Sequence, residues 1–306
     1  MILSRYDGRL LVVRQTDHGT QTGLISAAWG NDELSAPAGH DEANRLAAAH
    51  HDDGWAIWER RPDLDPATSQ PVQFYDLEPA EHLPAYRAGI ERAARLDPWT
   101  GLLVSMHGAG LYNDRYRSYR LEEIGEQRLT DQERLLVDEF LSDMAVLQRR
   151  LYTEAIGHRA VEPSAVEPSA VGQGALVGQG ALVEPSAPGE PHERPEVMDT
   201  YLLLQVWDRL SLQFALRHGV DGEIGPLPLV PAGSRAGVQH RRGALRCRSR
   251  GRFALALDPY PFAEDRVELP VLASVVPDRR YADPEDFLGA LAAAGPTVLE
   301  CTVMRE

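Results

Sequence analysis

Val197-Met198-Asp199-Thr200-Tyr201-Leu202-Leu203-Leu204-Gln205-Val206-Trp207-Asp208-Arg209-Leu210-Ser211-Leu212-Gln213-Phe214-Ala215-Leu216-Arg217-His218 is apolar nearly all round at helical spacing, and Gly219 follows as a C-terminal cap. A helix with apolar residues on every side belongs inside a core, so this stretch predicts a helical body built around it. Asp208 is its midpoint. A carboxylate placed there needs a cation or several donors to remain ionised. A salt bridge to an arginine such as Arg209 or Arg45 would serve, and so would a metal ion.

Other helices surround this one in the sequence. Thr130 and Glu133 form a capping box that opens a helix through Leu135, Leu136, Phe140 and Leu147 to Ile156, with Gly157 as its stop. Pro79–Leu96 sets His82, Tyr86, Ile90 and Ala93 on one face. In the short apolar segment Pro98–Leu111, Leu103 and His107 point inward together. His40–His51 is an alanine-rich helix ended by Asp53-Gly54, and His18 opens a further helical segment after the N-terminal strands.

β signals flank this body. Ile2–Tyr6 and Arg9–Arg14 read as a hairpin around Asp7-Gly8. Beyond Gly219, Gly237–Arg246, Arg252–Leu257, Val267–Val276 and Thr297–Met304 have strand character, and Pro284–Ala294 looks helical. The expected fold is mainly α: a helical domain over residues 1–219 with its hairpin at 1–14, and an α+β extension at 220–306 packed on it and pairing with the hairpin. Residues 158–195 carry the repeats Val161-Glu-Pro-Ser-Ala, Val166-Glu-Pro-Ser-Ala and two copies of Val-Gly-Gln-Gly-Ala-Leu, from Val171 and Val177. Proline and glycine at that density predict a disordered surface insertion.

Composition narrows the function. The 306 residues hold 46 acidic against 31 basic side chains, a formal charge of −15, which argues against nucleic acid or anionic membrane as partners. Cys247 and Cys301 lie far apart in no metal-binding pattern, so a reduced cytoplasm is expected. Neither a signal peptide nor a run long enough to span a bilayer stands out.

Ionisable residues in apolar or tightly turned surroundings carry the chemistry. His51-Asp52 ends a helix, where both residues can turn toward one ion; a solvated polar cluster with His50 and Asp53 is the plainer reading. His107 lies among Leu102, Leu103, Val104 and Met106, and a hydrogen-bonded core histidine would look the same. One bound metal would compensate His18, His51-Asp52, His107 and Asp208 together.

The order His18, His51-Asp52, Asp208 resembles the signature of the HD-domain superfamily, an all-helical fold whose doublet and two flanking ligands hold a divalent metal. With His82 and His107 between, the chain is similar to the two-metal branch, which contains phosphohydrolases, phosphodiesterases and di-iron oxygenases. The phrases Gln-Thr-Asp-His, His-Asp-Asp-Gly-Trp, Ser-Met-His-Gly and Trp-Asp-Arg-Leu-Ser-Leu also resemble those of a bacterial domain-of-unknown-function family. The HD resemblance implies an HD-domain-like helical bundle. In it His18, His51, Asp52 and Asp208 hold one ion, while Asp52, His82 and His107 hold a second.

Nitrogen and carboxylate ligands suit iron, manganese or zinc. Asp53 is a candidate base or orienting group at the site. Arg115, Arg117 and Arg120 are candidate phosphate contacts, unless they lie on a solvated face. The expected activity is metal-dependent hydrolysis of a small phosphorylated or anionic metabolite, with a homodimer admissible. Di-iron oxygenation and a non-catalytic metal-binding sensor or interaction protein are the alternatives.

Overall fold

The Asp7-Gly8 turn has both residues at positive φ, 50° and 73°, as a two-residue hairpin connection requires. It joins β1 (Ile2–Tyr6) to β2 (Arg9–Val13) in the computed structural model, which describes residues 1–36, 39–118, 129–159, 189–234 and 237–306. Helices α1 (Gln15–Ala28), α2 (Asp41–His50), α3 (Pro79–Leu96), α4 (Pro98–Gly110), the single turn α5 (Asp114–Arg117), α6 (Asp131–Arg159) and α7 (Pro195–Ala215) follow. Then come β3 (Gly222–Leu229), β4 (Arg241–Gly251), β5 (Ala254–Asp258), β6 (Arg266–Glu268) and β7 (Val271–Pro277). The chain closes with α8 (Pro284–Ala294), β8 (Thr297–Leu299) and β9 (Thr302–Arg305).

These eight helices and nine strands, among the described residues, make an α+β fold with two sheets. That corrects the expectation of a mainly α, HD-like helical bundle. One sheet runs β1-β2-β7-β8 and the other β3-β4-β5-β9-β6. The N-terminal hairpin is half of the first sheet, because β2 pairs antiparallel with β7. The second contains β3, a strand the sequence conceals behind Pro226 and Pro228. β3 lies at the sheet edge, where a missing N–H breaks no ladder on its open side.

Val267–Val276, which reads as one strand, is two strands in different sheets. Pro270 interrupts the ladder, and Leu269 N–H donates instead to the Cys301 carbonyl at 2.8 Å. The helix from Asp131 passes through Gly157 and ends at Arg159. Most of the repeat-bearing stretch lies outside the described residues. Its last part, Pro191–Glu193, forms a 3-10 turn leading into α7.

α7 occupies the centre, as its sequence requires. Every residue of it is buried except Pro195, Glu196, Arg209 and Leu212. One apolar cluster runs from Ile2 through the helices to Val303, so residues after 220 share the core of those before. Among the described residues, no helix is long and apolar enough to cross a membrane.

Candidate metal centre

Glycines bring the first two histidines together. A Cβ on Gly19 would lie 2.6 Å from the Ala49 carbonyl oxygen, and one on Gly23 2.8 Å from the Ala49 side chain, so α1 and α2 touch as only glycine permits. His18 of α1 and His51 at the end of α2 therefore stand with ring centroids 5.2 Å apart. The chain leaves helical geometry at Asp52 (φ −114°, ψ 15°), which lets both members of the doublet turn inward. Gly54 holds this turn against α3, since a Cβ there would meet the Ala85 carbonyl oxygen at 1.9 Å. His107 arrives from α4 with its ring 4.8 Å from that of His51, and Asp208 from α7.

The Nδ1 atoms are anchored. His51 Nδ1–H donates to the Ala48 carbonyl at 2.8 Å. His18 Nδ1 lies 2.7 Å from Ser211 Oγ, whose hydroxyl donates to Gln21 Oε1 at 2.6 Å. That hydroxyl proton is committed, so Ser211 accepts and His18 Nδ1 donates. Gln205 Nε2 lies 3.2 Å from His107 Nδ1, and Gln205 Oε1 is buried with no partner. With the amide turned to present Oε1, His107 Nδ1–H donates as well. In neutral rings this assignment directs three Nε2 lone pairs to one place.

Two carboxylates meet them there. His18 Nε2 is 3.0 Å from Asp208 Oδ1, His51 Nε2 is 3.4 Å from Asp52 Oδ2 and 3.8 Å from Asp208 Oδ1, and His107 Nε2 is 3.7 Å from Asp52 Oδ1. Lone pairs facing lone pairs repel unless protons or a cation lie between them. His51 Nε2 and Asp52 Oδ1 are buried with no hydrogen-bond partner, each an unmet group that costs about 1–3 kcal/mol. Ligand atoms about 2.0–2.2 Å from a common ion stand roughly 3–3.5 Å from one another, so the spacings fit a first-row metal.

Electrostatics agree with a need for positive charge. Burial pushes the Asp52 carboxyl above its ordinary range, against the opposing pull of His51 and His18. Burial also acts to raise Asp208, but the surrounding imidazoles in their protonated forms, His18 by hydrogen bond and His51, His18 and His107 by charge, outweigh it and carry Asp208 lower. Burial, then the charge of His51, holds His107 well below the ordinary imidazole range, which keeps it neutral as a ligand must be.

A cavity of about 440 Å³ opens onto His18, Asp52, His107 and Asp208. Arg115 reaches it from α5, a turn in which Asp114, Arg115, Tyr116 and Arg117 all have φ between 52° and 61°. Left-handed geometry costs non-glycine residues roughly 1–2 kcal/mol each. The strained turn puts Arg115 in the interior, where Nη1 donates to the His107 carbonyl at 3.2 Å.

Residues 1–278 of this chain match the family model described as "Protein of unknown function (DUF3891)". The chain belongs to that family. No curated protein and no solved structure matches it. The DUF3891 match spans every residue of the centre and of the cavity, and names no HD domain and no activity.

Within this DUF3891 protein the other candidates separate from the cluster. His82 forms part of neither metal-ligating group: it hydrogen-bonds Tyr112 and packs edge-on to Trp55 and Tyr86. Asp53 turns the opposite way from Asp52, accepting from His50 Nδ1 at 2.9 Å with Arg92 at 3.9 Å, and is not at the cavity. Arg117 is exposed on the outside of the left-handed turn, whereas Arg120 lies outside the described residues.

The sequence reading overlooked the supporting residues. Gln15 and Gln21 flank His18 at three positions either side, and Gln205 and Ser211 flank Asp208 likewise. A polar residue three from a buried ligand in a helix shares its face, which is the signal that would have found them.

Proposed function

We propose that this protein is a metal-dependent hydrolase acting on a small phosphorylated or similarly anionic metabolite. The observation that carries the reading is the meeting of three imidazole Nε2 atoms and two carboxylates beside the buried end of a cavity that also holds Arg115. His18, His51, His107, Asp52 and Asp208 would hold the ion, and their chemistry suits iron, manganese or zinc. When bound, such an ion supplies Lewis acidity and lowers the pKa of water toward neutrality. This is the ligand order the HD resemblance implies for His18, His51, Asp52 and Asp208. Only the ligand set is carried over, since the fold is α+β.

The remaining residues handle the substrate. Arg115 presents a planar guanidinium suited to phosphate or carboxylate. Arg5, Arg209 and Arg217 also line the cavity, so with Arg115 four guanidiniums stand against the carboxylates of Asp52, Asp208 and Glu223, a local excess opposite in sign to the net charge of −15. Burial keeps the Tyr86 phenol protonated far above its ordinary range, which leaves it a hydrogen-bond donor toward a bound oxygen.

His51 belongs to both groups of candidate ligands, and a neutral imidazole has one lone pair to give. Together with the separate setting of His82, this favours one ion over the pair needed for di-iron oxygenation. The test is phosphate release from a panel of phosphomonoesters and diesters with added manganese, iron or zinc. Turnover that requires metal and vanishes in Asp208→Ala is expected. Silence throughout the panel at full metal occupancy would overturn hydrolysis and favour a metal-binding sensor.

A further inference from the structure

The cavity has two unlike ends. Its buried end carries four of the five candidate ligands, all but His51, with Tyr86, Arg115 and Gln15, whereas half-buried Phe74, Leu111, Leu212 and Leu216 form its walls farther out. Of the remaining charged groups, Arg5, Arg217 and Glu223 are exposed, and half-buried Arg209 donates to the Gly225 carbonyl at 2.7 Å.

Gln15 is the decisive residue at the inner end. Its side chain is fully buried and faces the cavity, yet neither Oε1 nor Nε2 has a hydrogen-bond partner. Its backbone N–H is satisfied by Glu59 Oε1 at 2.8 Å, so the residue is held in place while its amide is unmet. A buried primary amide without partners is costly, and a bound group that accepts and donates hydrogen bonds relieves it. The head of a phosphate or phosphonate monoanion does both.

α7 determines what extends from that head. Asp208, Leu212 and Leu216 follow at intervals of four on one helix face, so an apolar strip leads outward from the candidate metal ligand. Two turns give that strip a length of about 11 Å. Leucine offers no hydrogen bond to a sugar or polyol, and gains from covering hydrocarbon.

Resting on the metal-dependent reading above, we propose that the substrate is an amphipathic anion. Its phosphate-like head sits between Gln15 and Arg115 beside the metal ligands, and its alkyl or aryl body lies along Leu212 and Leu216. Gln15 is thereby a substrate-contact residue.

Calorimetric titration of the metal-loaded protein with inorganic phosphate, ethyl-, butyl- and hexylphosphonate and 1-hexanol tests this, because the C–P bond resists hydrolysis. Affinity is expected to tighten roughly threefold per methylene, and at least tenfold from ethyl to hexyl, with hexanol much weaker than hexylphosphonate. Gln15→Leu should weaken every phosphonate at least tenfold while keeping the chain-length ratio. Leu216→Ser, half-buried and easily accommodated, should flatten that ratio and leave inorganic phosphate unchanged. Equal affinity along the series, no binding of any member, or hexanol binding as tightly as hexylphosphonate would overturn the proposal. The two readings fail separately. A chain-length trend without any phosphoester turnover refutes hydrolysis alone, and turnover indifferent to chain length refutes the amphipathic substrate alone.

Discussion

His18 Nε2 stands 3.0 Å from Asp208 Oδ1 across 190 residues of chain. On the far side of the ring, His18 Nδ1 is committed to Ser211, which leaves a lone pair facing a carboxylate unless a proton or a metal ion intervenes. A relay from Leu269 through Gln21 and Ser211 thus reaches His18 from one turn beyond Asp208 on the same helix.

Removing the Ser211 hydroxyl should expose that dependence. Ser211→Ala leaves the His18 Nδ1–H and Gln21 Oε1 facing a methyl group, and metal affinity should fall about 10–100-fold with the ligands themselves intact. Competitive chelator titration measures it. Unchanged affinity would show that the relay does not orient His18.

Helix contact is the second control on the centre. Gly19→Ala drives a methyl into the Ala49 carbonyl and should cost about 1–3 kcal/mol while moving His18 from His51. Gly289→Ala, in α8 with no atom within 4 Å of its Cβ, should stabilise by roughly 0.5–1 kcal/mol. Thermal unfolding of the two variants reads both signs, and metal content should fall only in the first.

His82 gives a pH signature of its own. Burial lowers its pKa from 6.5 to about 4, so the unfolded chain takes up the proton first as pH falls. Its setting costs nothing above pH 6.5, and stability should be lost progressively from there down to about 4, by ~3 kcal/mol in all. Urea titrations across that range should show this loss, and His82→Gln should remove it without reducing metal content. Loss of bound metal in His82→Gln would return His82 to the ligand set.

Two neighbouring arginines should behave oppositely. Arg115→Ala is expected to weaken phosphate-class anions at least tenfold, whereas Arg117→Ala, at an exposed position, should leave affinity within twofold. Equilibrium binding of inorganic phosphate distinguishes them, and equal effects would contradict the inward placement of Arg115.

Legibility in the sequence followed the range of the interactions. The Thr130 capping box is a contact across three residues, and Thr130 N–H donates to Glu133 Oε2 at 2.7 Å, as that spacing predicts. The nearly all-apolar α7 declared its central position and drew attention to Asp208 at its midpoint. Sheet organisation was concealed because it depends on distant pairing: Leu11 faces Val275, and nothing local to either names the other. In β3, prolines disguised an edge strand as a loop.

At the site, the His51-Asp52 doublet stood out because a helix end lets both residues turn toward one ion, whereas Gln15, Gln21 and Gln205 carry no charge or motif that singles them out. His82 and Tyr86 do share a face of α3, as their spacing implies. That face meets Trp55 and Tyr112, so helical periodicity identified burial correctly and could not specify the neighbour.

Anomalous diffraction from crystals grown after exposure to iron, manganese or zinc is the most direct measurement. We expect one peak, roughly 2.0–2.2 Å from His18 Nε2 and His51 Nε2 and bonded to the Asp208 carboxylate. No peak between those side chains with any of the three metals, or a peak bound elsewhere on the molecule, would contradict a metal centre in this cavity.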